Sequence, residues 1–124
     1  MRIFKNKAFS KWATKEGLGD DVLQTAVEEM EHGLIDADLG GHVVKKRAAL
    51  VGRGKSGGAR TLIVYKTGNK AFFVYGFAKN ARANIKVSEL QGLKAYAAIL
   101  LNYSEKDLDK AVKAGALIEV ESNE

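Results

Sequence analysis

Between His42 and Lys86 the chain carries eleven basic residues and no Asp or Glu: Lys45, Lys46, Arg47, Arg53, Lys55, Arg60, Lys66, Lys70, Lys79, Arg82 and Lys86. The rest of the 124-residue sequence holds nine basic and all fifteen acidic residues, so a segment of +11 is flanked by sequence of net −6. Polarity of that kind builds one basic face, and the natural partner of such a face is a polyanion. Five of these cations have the types and spacing for phosphate chemistry. Arg53 and Lys55 lie on the glycine-rich run Gly52–Gly58, Arg60 opens a strand, and Lys79 and Arg82 follow the end of the next strand. Brought to one edge of a sheet they form a phosphate cradle, with arginine as a rigid fork for phosphate oxygens and lysine as a point charge. Crowded cations lower a lysine's pKa, so that it can take a proton from a ribose 2′-hydroxyl while arginine stabilises the developing charge. RNA offers that hydroxyl and DNA does not. The residues by themselves reach a nucleic-acid-binding face and leave catalysis open.

Other chemistries are poorly supplied. The chain has no cysteine, which removes disulfides, thiolate zinc sites and thiol nucleophiles. Gly54-Lys55-Ser56 resembles the end of a phosphate-binding P-loop, but the glycine required five residues before Gly54 is Ala49, and a strand follows where a helix is needed. The only histidines, His32 and His42, have no partner at a ligand spacing, and no carboxylate lies between Asp38 and Glu89. We therefore expect no metal and no small-molecule cofactor. His32 reads as a surface residue in the last turn of a helix and His42 as structural at a strand start. Glu28, Glu29 and Glu31 read as solvent-facing positions of an acidic helix.

The elements that must position the cations follow from hydrophobic period. Asn6 caps a helix bearing Phe9, Trp12 and Ala13 and ended by Gly17. A second helix opens at Asp20 or Asp21, with Gln24 completing a capping box, carries Val22, Leu23, Ala26, Val27 and Met30, and stops at Gly33. Leu34–Gly41 is a short strand or irregular connection, Val43–Ala48 a strand, and Gly52–Gly58 a loop. Ala59–Lys66 and Ala71–Phe77 form a hairpin around Thr67–Lys70, central in the sheet because both strands are almost continuously apolar, and covered by helices on at least one face, which the two N-terminal helices can supply. Ser88 with Gln91 opens a helix through about Asn102, Ser104 with Asp107 caps a last one ended by Gly115, and Leu117–Glu121 closes as an edge strand. The fold class is α+β: a small antiparallel-rich sheet packed by N-terminal helices, with a C-terminal helical extension. Length and composition suit a single domain over residues 1–124, hydrophobic residues being 46% and charged ones 28%. No apolar run approaches the roughly 20 residues that span a bilayer. Met1–Lys7 is charged with no apolar stretch behind it, so a cytoplasmic location is expected and no membrane partner.

Three stretches together resemble the RelE/HigB superfamily of bacterial toxins: Val43-Val44-Lys45-Lys46-Arg47; Gly54-Lys55-Ser56-Gly57-Gly58-Ala59-Arg60 running into Tyr65; and Phe72–Ile85 with its Phe77-Ala78-Lys79-Asn80 and Asn84-Ile85. The resemblance covers about the central third of the chain, and its helix-first, sheet-second order agrees with that family's small α+β fold. It implies a type II toxin, a metal-independent endoribonuclease that cleaves mRNA on the ribosome and is neutralised by a cognate antitoxin. Carried over, Arg60 matches the strand arginine at the scissile phosphate and Lys55 a basic residue of the preceding segment. Lys79 and Arg82 match the basic cluster after the next strand, while Lys45, Lys46, Arg47 and Arg53 help hold RNA. Because they are consecutive, Lys45, Lys46 and Arg47 cannot all face one way on a strand. Where many relatives of this kind place a tyrosine for base stacking, this chain has Asn84-Ile85-Lys86. The alternatives are the related ParE-like poison of DNA gyrase and a non-catalytic nucleic-acid-binding regulatory module.

Overall fold

Asn6 makes the first corner of the chain. Its side-chain oxygen accepts from Phe9 N at 2.7 Å, capping the first helix, and its Nδ2 donates to the carbonyl of Val74 at 3.1 Å. One side chain thus starts a helix and ties it to a strand far along the sequence. The computed structural model describes residues 1–50, 54–78 and 84–120, with backbone only at 50 and 54–57. Its elements in order are β1 (Arg2–Asn6), α1 (Lys7–Glu16), α2 (Asp20–Glu31), β2 (Ala37–Asp38), β3 (Val43–Leu50), β4 (Gly54–Lys66), β5 (Lys70–Ala78), α3 (Val87–Leu101), α4 (Glu105–Lys113) and β6 (Leu117–Glu119).

The sheet order is β2-β3-β4-β5-β1-β6. β2 through β5 form an antiparallel meander, β1 pairs parallel to β5, and β6 closes antiparallel on β1. The α+β class, the central hairpin and the closing edge strand agree with the sequence reading. So do the caps of α1 and α4: Gly17 ends α1 in the left-handed conformation, and Ser104 and Asp107 exchange side-chain to backbone hydrogen bonds at 3.0 and 3.1 Å.

Four expectations need correction. β1 precedes the first helix, so the sheet begins before the helices; its five residues hold only two apolar ones, Ile3 and Phe4, side by side, and so show no alternation to mark a strand. The glycine-rich stretch is not wholly a loop, because β4 starts at Gly54 and pairs with Leu50 across a register shift; pairing to a neighbouring strand overrides the weak strand preference of glycine. α2 has Gly19 at its N-cap with no side-chain cap, and Asp20 and Asp21 instead occupy its first turn, where they meet the positive end of the helix dipole. Ser88 is already inside α3, whose N-cap is Lys86, with Glu89 accepting from Lys86 N at 2.9 Å.

Helices cover both faces of the sheet, within the expectation of cover on at least one. On the first, Phe9, Leu23, Val27 and Met30 of α1 and α2 pack on Val44, Ile63 and Phe73. On the second, Ala97, Leu100 and Leu108 of α3 and α4 pack on Phe4, Val43, Leu62, Val64 and Phe72. Having both faces buried explains why the hairpin reads as continuously apolar. Gly76 lies under Trp12 on the first face, so close that a Cβ there would sit 2.2 Å from the indole ring. Arg2 joins β1 to the C-terminal elements through Glu119, Glu105 and Asp109.

Candidate nucleic-acid interface

Strand alternation decides which cations meet. Val43 belongs to the core under α3 and α4, so Lys45 and Arg47 point to that same face; Val44 and Ala48 belong to the core under α1 and α2, so Lys46 points the opposite way. On β4, Leu62 and Val64 share the α3 side, which puts Arg60 there too. The register completes the picture: Arg47 is directly opposite Arg60, and Arg60 opposite Phe77, while Lys45, Leu62 and Tyr75 make the adjacent row. Past Val43 and Leu62 this face changes from apolar to basic within one residue pair. Neighbouring strands lie about 4.8 Å apart, so the three cations fall within the reach of one or two phosphates.

Asp36, Lys45, Arg47 and Arg60 line one open depression. Asp36, in the connection before β2, was not singled out from sequence. Its Oδ2 accepts from the backbone N–H of Arg47 at 2.6 Å and its Oδ1 from Arg47 Nε at 3.0 Å, and its own N–H donates to the carbonyl of Lys45 at 3.1 Å. Partial burial works against a charged carboxylate here, but the backbone and side-chain hydrogen bonds from Arg47, with the charges of Arg47 and Lys46, overcome it and hold Asp36 below its ordinary value. The positions next across on β5 are aromatic: the rings of half-buried Tyr75 and buried Phe77 are 6.1 Å apart.

Lys46 is the exception among the expected RNA-binding residues. It is 4% exposed, and its Nζ pairs with Glu29 of α2 at 2.9 Å on the face away from Arg47 and Arg60. Glu29, expected to face solvent, is its partner. Thr61, opposite Lys46, donates its hydroxyl to the Lys46 carbonyl at 2.8 Å. This polar group fastens α2 to the sheet and takes no part in the depression. His42 is an exposed turn residue with φ 65° before β3, and its carbonyl accepts from Tyr65 N. His32 ends α2 with its ring Nδ1 2.8 Å from the Glu28 carbonyl oxygen.

A sequence model described as "RelE toxin of RelE / RelB toxin-antitoxin system" matches residues 1–120. The chain belongs to the RelE toxin family. No curated protein matches it closely enough to count as a relative. The family covers almost the whole chain, including α3 and α4, which the resemblance from the central segment treated as an extension. As a RelE-type toxin of a toxin-antitoxin system the chain has a cognate antitoxin for a partner. Among the described residues no helix is long and apolar enough to cross a membrane.

Of the site residues expected from sequence, the fold brings Lys45, Arg47 and Arg60 of this RelE-type toxin together and sends Lys46 away. Lys55 lies on β4, before Arg60 in the strand, and its side chain is outside the described residues. Arg53, Lys79 and Arg82 also lie outside them.

Proposed function

We propose that this RelE-type toxin is a ribosome-dependent mRNA endonuclease of the cytoplasm, a single-domain enzyme that needs no metal and stops translation. The observation that carries the reading is the convergence of Lys45, Arg47 and Arg60 on one open patch of the sheet inside a segment free of carboxylates. Arg60 is the residue we assign to the scissile phosphate, where a guanidinium fork takes two oxygens and steadies the charge that develops during attack by the 2′-hydroxyl. Lys55, Lys79 and Arg82 are proposed to complete the catalytic cluster, with a lysine as the base that removes the 2′-hydroxyl proton. Lys45 and Arg47 hold the flanking backbone, with Arg53 beside them. Tyr75, one row from Arg60, offers the face on which a base can stack.

The described patch has cations but no unengaged carboxylate or histidine to act as a strong acid-base pair. Free RNA is therefore expected to be a poor substrate, the ribosome supplying the alignment of the mRNA. The cognate antitoxin is proposed to cover the basic patch with acidic or apolar segments.

The test is cleavage of ribosome-bound mRNA by the native chain, by Arg60→Ala and by Lys79→Ala/Arg82→Ala, each checked for folding by thermal melting. Cleavage in the A site that both variants lose supports the reading. If the native protein cuts nothing, the reading fails, and arrest of DNA replication on induction would then point to gyrase. Rapid hydrolysis of naked RNA would overturn ribosome dependence.

A further inference from the structure

Two arginines directly opposite each other on neighbouring strands repel, and a long side chain in an open depression has many rotamers open to it unless a partner holds it. Arg47 does not have that freedom. Asp36 holds it at two points, the backbone N–H and the side-chain Nε, and Asp36 is itself fixed by its N–H on the carbonyl of Lys45. With Nε engaged, the Nη1–Nη2 end of the fork is the part left chemically suited to take a phosphate end-on. Among the described residues Asp36 is also the only carboxylate lining the depression, where it lies among three cations. A carboxylate in a polyanion site weakens binding by its own charge, so its presence calls for a compensating role.

We infer that Asp36 is a positioning residue: it sets the guanidinium of Arg47 opposite Arg60 so that the two arginines act as one clamp on the RNA backbone. The inference rests on the proposed function for its substrate, RNA, and on the two hydrogen bonds for its geometry. The alternative role for Asp36 is to tether the connection before β2 to β3, and the two roles separate cleanly. Asp36→Asn retains an acceptor for the backbone N–H of Arg47 and loses the ion pair. A tether would then survive, and the net positive charge of the patch would rise by one, tightening RNA binding. Positioning gives the opposite sign.

The experiment is a double-mutant cycle of Asp36→Asn and Arg47→Ala. It reads kcat and KM for cleavage of ribosome-bound mRNA, affinity for a short RNA oligonucleotide at low salt, and thermal melting. Asp36→Asn is expected to lower kcat about tenfold and to leave oligonucleotide affinity no tighter than native, with melting nearly unchanged; in the Arg47→Ala background the same change is expected to alter kcat less than about twofold. Asp36→Glu should recover part of the loss. Native-like or faster cleavage by Asp36→Asn, or a tenfold loss that persists without Arg47, overturns the inference. If the native chain cleaves nothing, the proposed function falls. The oligonucleotide arm of the cycle then decides: affinity that rises in Asp36→Asn, equally with and without Arg47, sinks the clamp, and affinity that falls only when Arg47 is present supports it.

Discussion

Arg47 on β3 and Arg60 on β4 stand directly opposite each other on the same face of the sheet, and Asp36 grips the first of them. A like-charged pair across two strands is unfavourable for folding. On the proposed function, that pair beside the open depression serves the binding of a polyanion.

Lys45 and Lys46 are neighbours in sequence and should behave as opposites. Lys46→Ala removes the ammonium that Glu29 pairs with under α2 and is expected to cost about 2 kcal/mol of stability, below the full range for a buried pair because Glu29 retains some access to water. RNA affinity of the folded fraction should be unchanged. Lys45→Ala should leave melting within about 0.5 kcal/mol and lower the salt dependence of RNA binding by about one ion. Urea melts and binding measured at several salt concentrations check both. Equal loss of affinity in the two variants would contradict the facing assigned to them.

Tyr75 is expected to contribute through its ring and not its hydroxyl. Tyr75→Phe should cleave mRNA at a native rate, whereas Tyr75→Leu, which keeps apolar bulk against the core, should lose about tenfold, in line with about 1–3 kcal/mol for a base stacked on an aromatic ring. Single-turnover cleavage at saturating ribosome concentration reads the difference. Native activity in Tyr75→Leu would remove the ring from the substrate site.

Stability should fall at high pH through Tyr65. Burial and the Glu31 carboxylate, which accepts from the phenol at 2.5 Å, push this group up to about 12. The folded protein therefore keeps its proton after an unfolded chain, with its ordinary value near 10, has released it. That contribution is complete below about pH 10 and disappears as the pH rises through 12. Tyr65→Phe should be less stable than native by about 1 kcal/mol at neutral pH, and the gap should close between about pH 10 and 12. Denaturant midpoints measured along this range give the answer; a gap of constant size would rule the linkage out.

Gly76→Ala should cost about 1–3 kcal/mol, because the added methyl meets the Trp12 ring at 2.2 Å, and α1 must shift to make room. Combining it with Trp12→Leu should recover much of that loss, a non-additivity expected of residues in contact. Strictly additive melting temperatures would mean that the ring does not limit position 76.

Legibility in the sequence tracked how local each signal is. The β4–β5 hairpin declared itself through a run of β-formers around a glycine turn, and the caps at Asn6, Ser104 and Gly17 through residues within four positions of their partners. β1 was missed because its pairing with β5 and β6 is remote and its five residues carry little pattern. For the site, the basic run announced a face, and period two showed that Lys45, Lys46 and Arg47 must split. Which of them turns inward depends on which helices cover which side, information absent from β3 itself. Asp36 was invisible for a related reason: it lies eleven residues from Arg47 and outside the basic run, and only the register of β2 on β3 brings it back.

β1 comes first in the order of elements but lies fifth in the sheet, between β5 and β6. It cannot settle until the meander that ends in β5 exists, and β6 cannot dock until β1 has. Assembly should therefore run from the middle outward, with the local β3–β4–β5 ladder early and the long-range closure late and slow. In that interval the buried ring of Phe4 is uncovered, together with the strand edge on β5 that it will occupy. A newly made chain thus passes through a stage in which its basic strands are already paired while its last seam is open, giving any binding partner a different surface to meet from the one the finished protein displays.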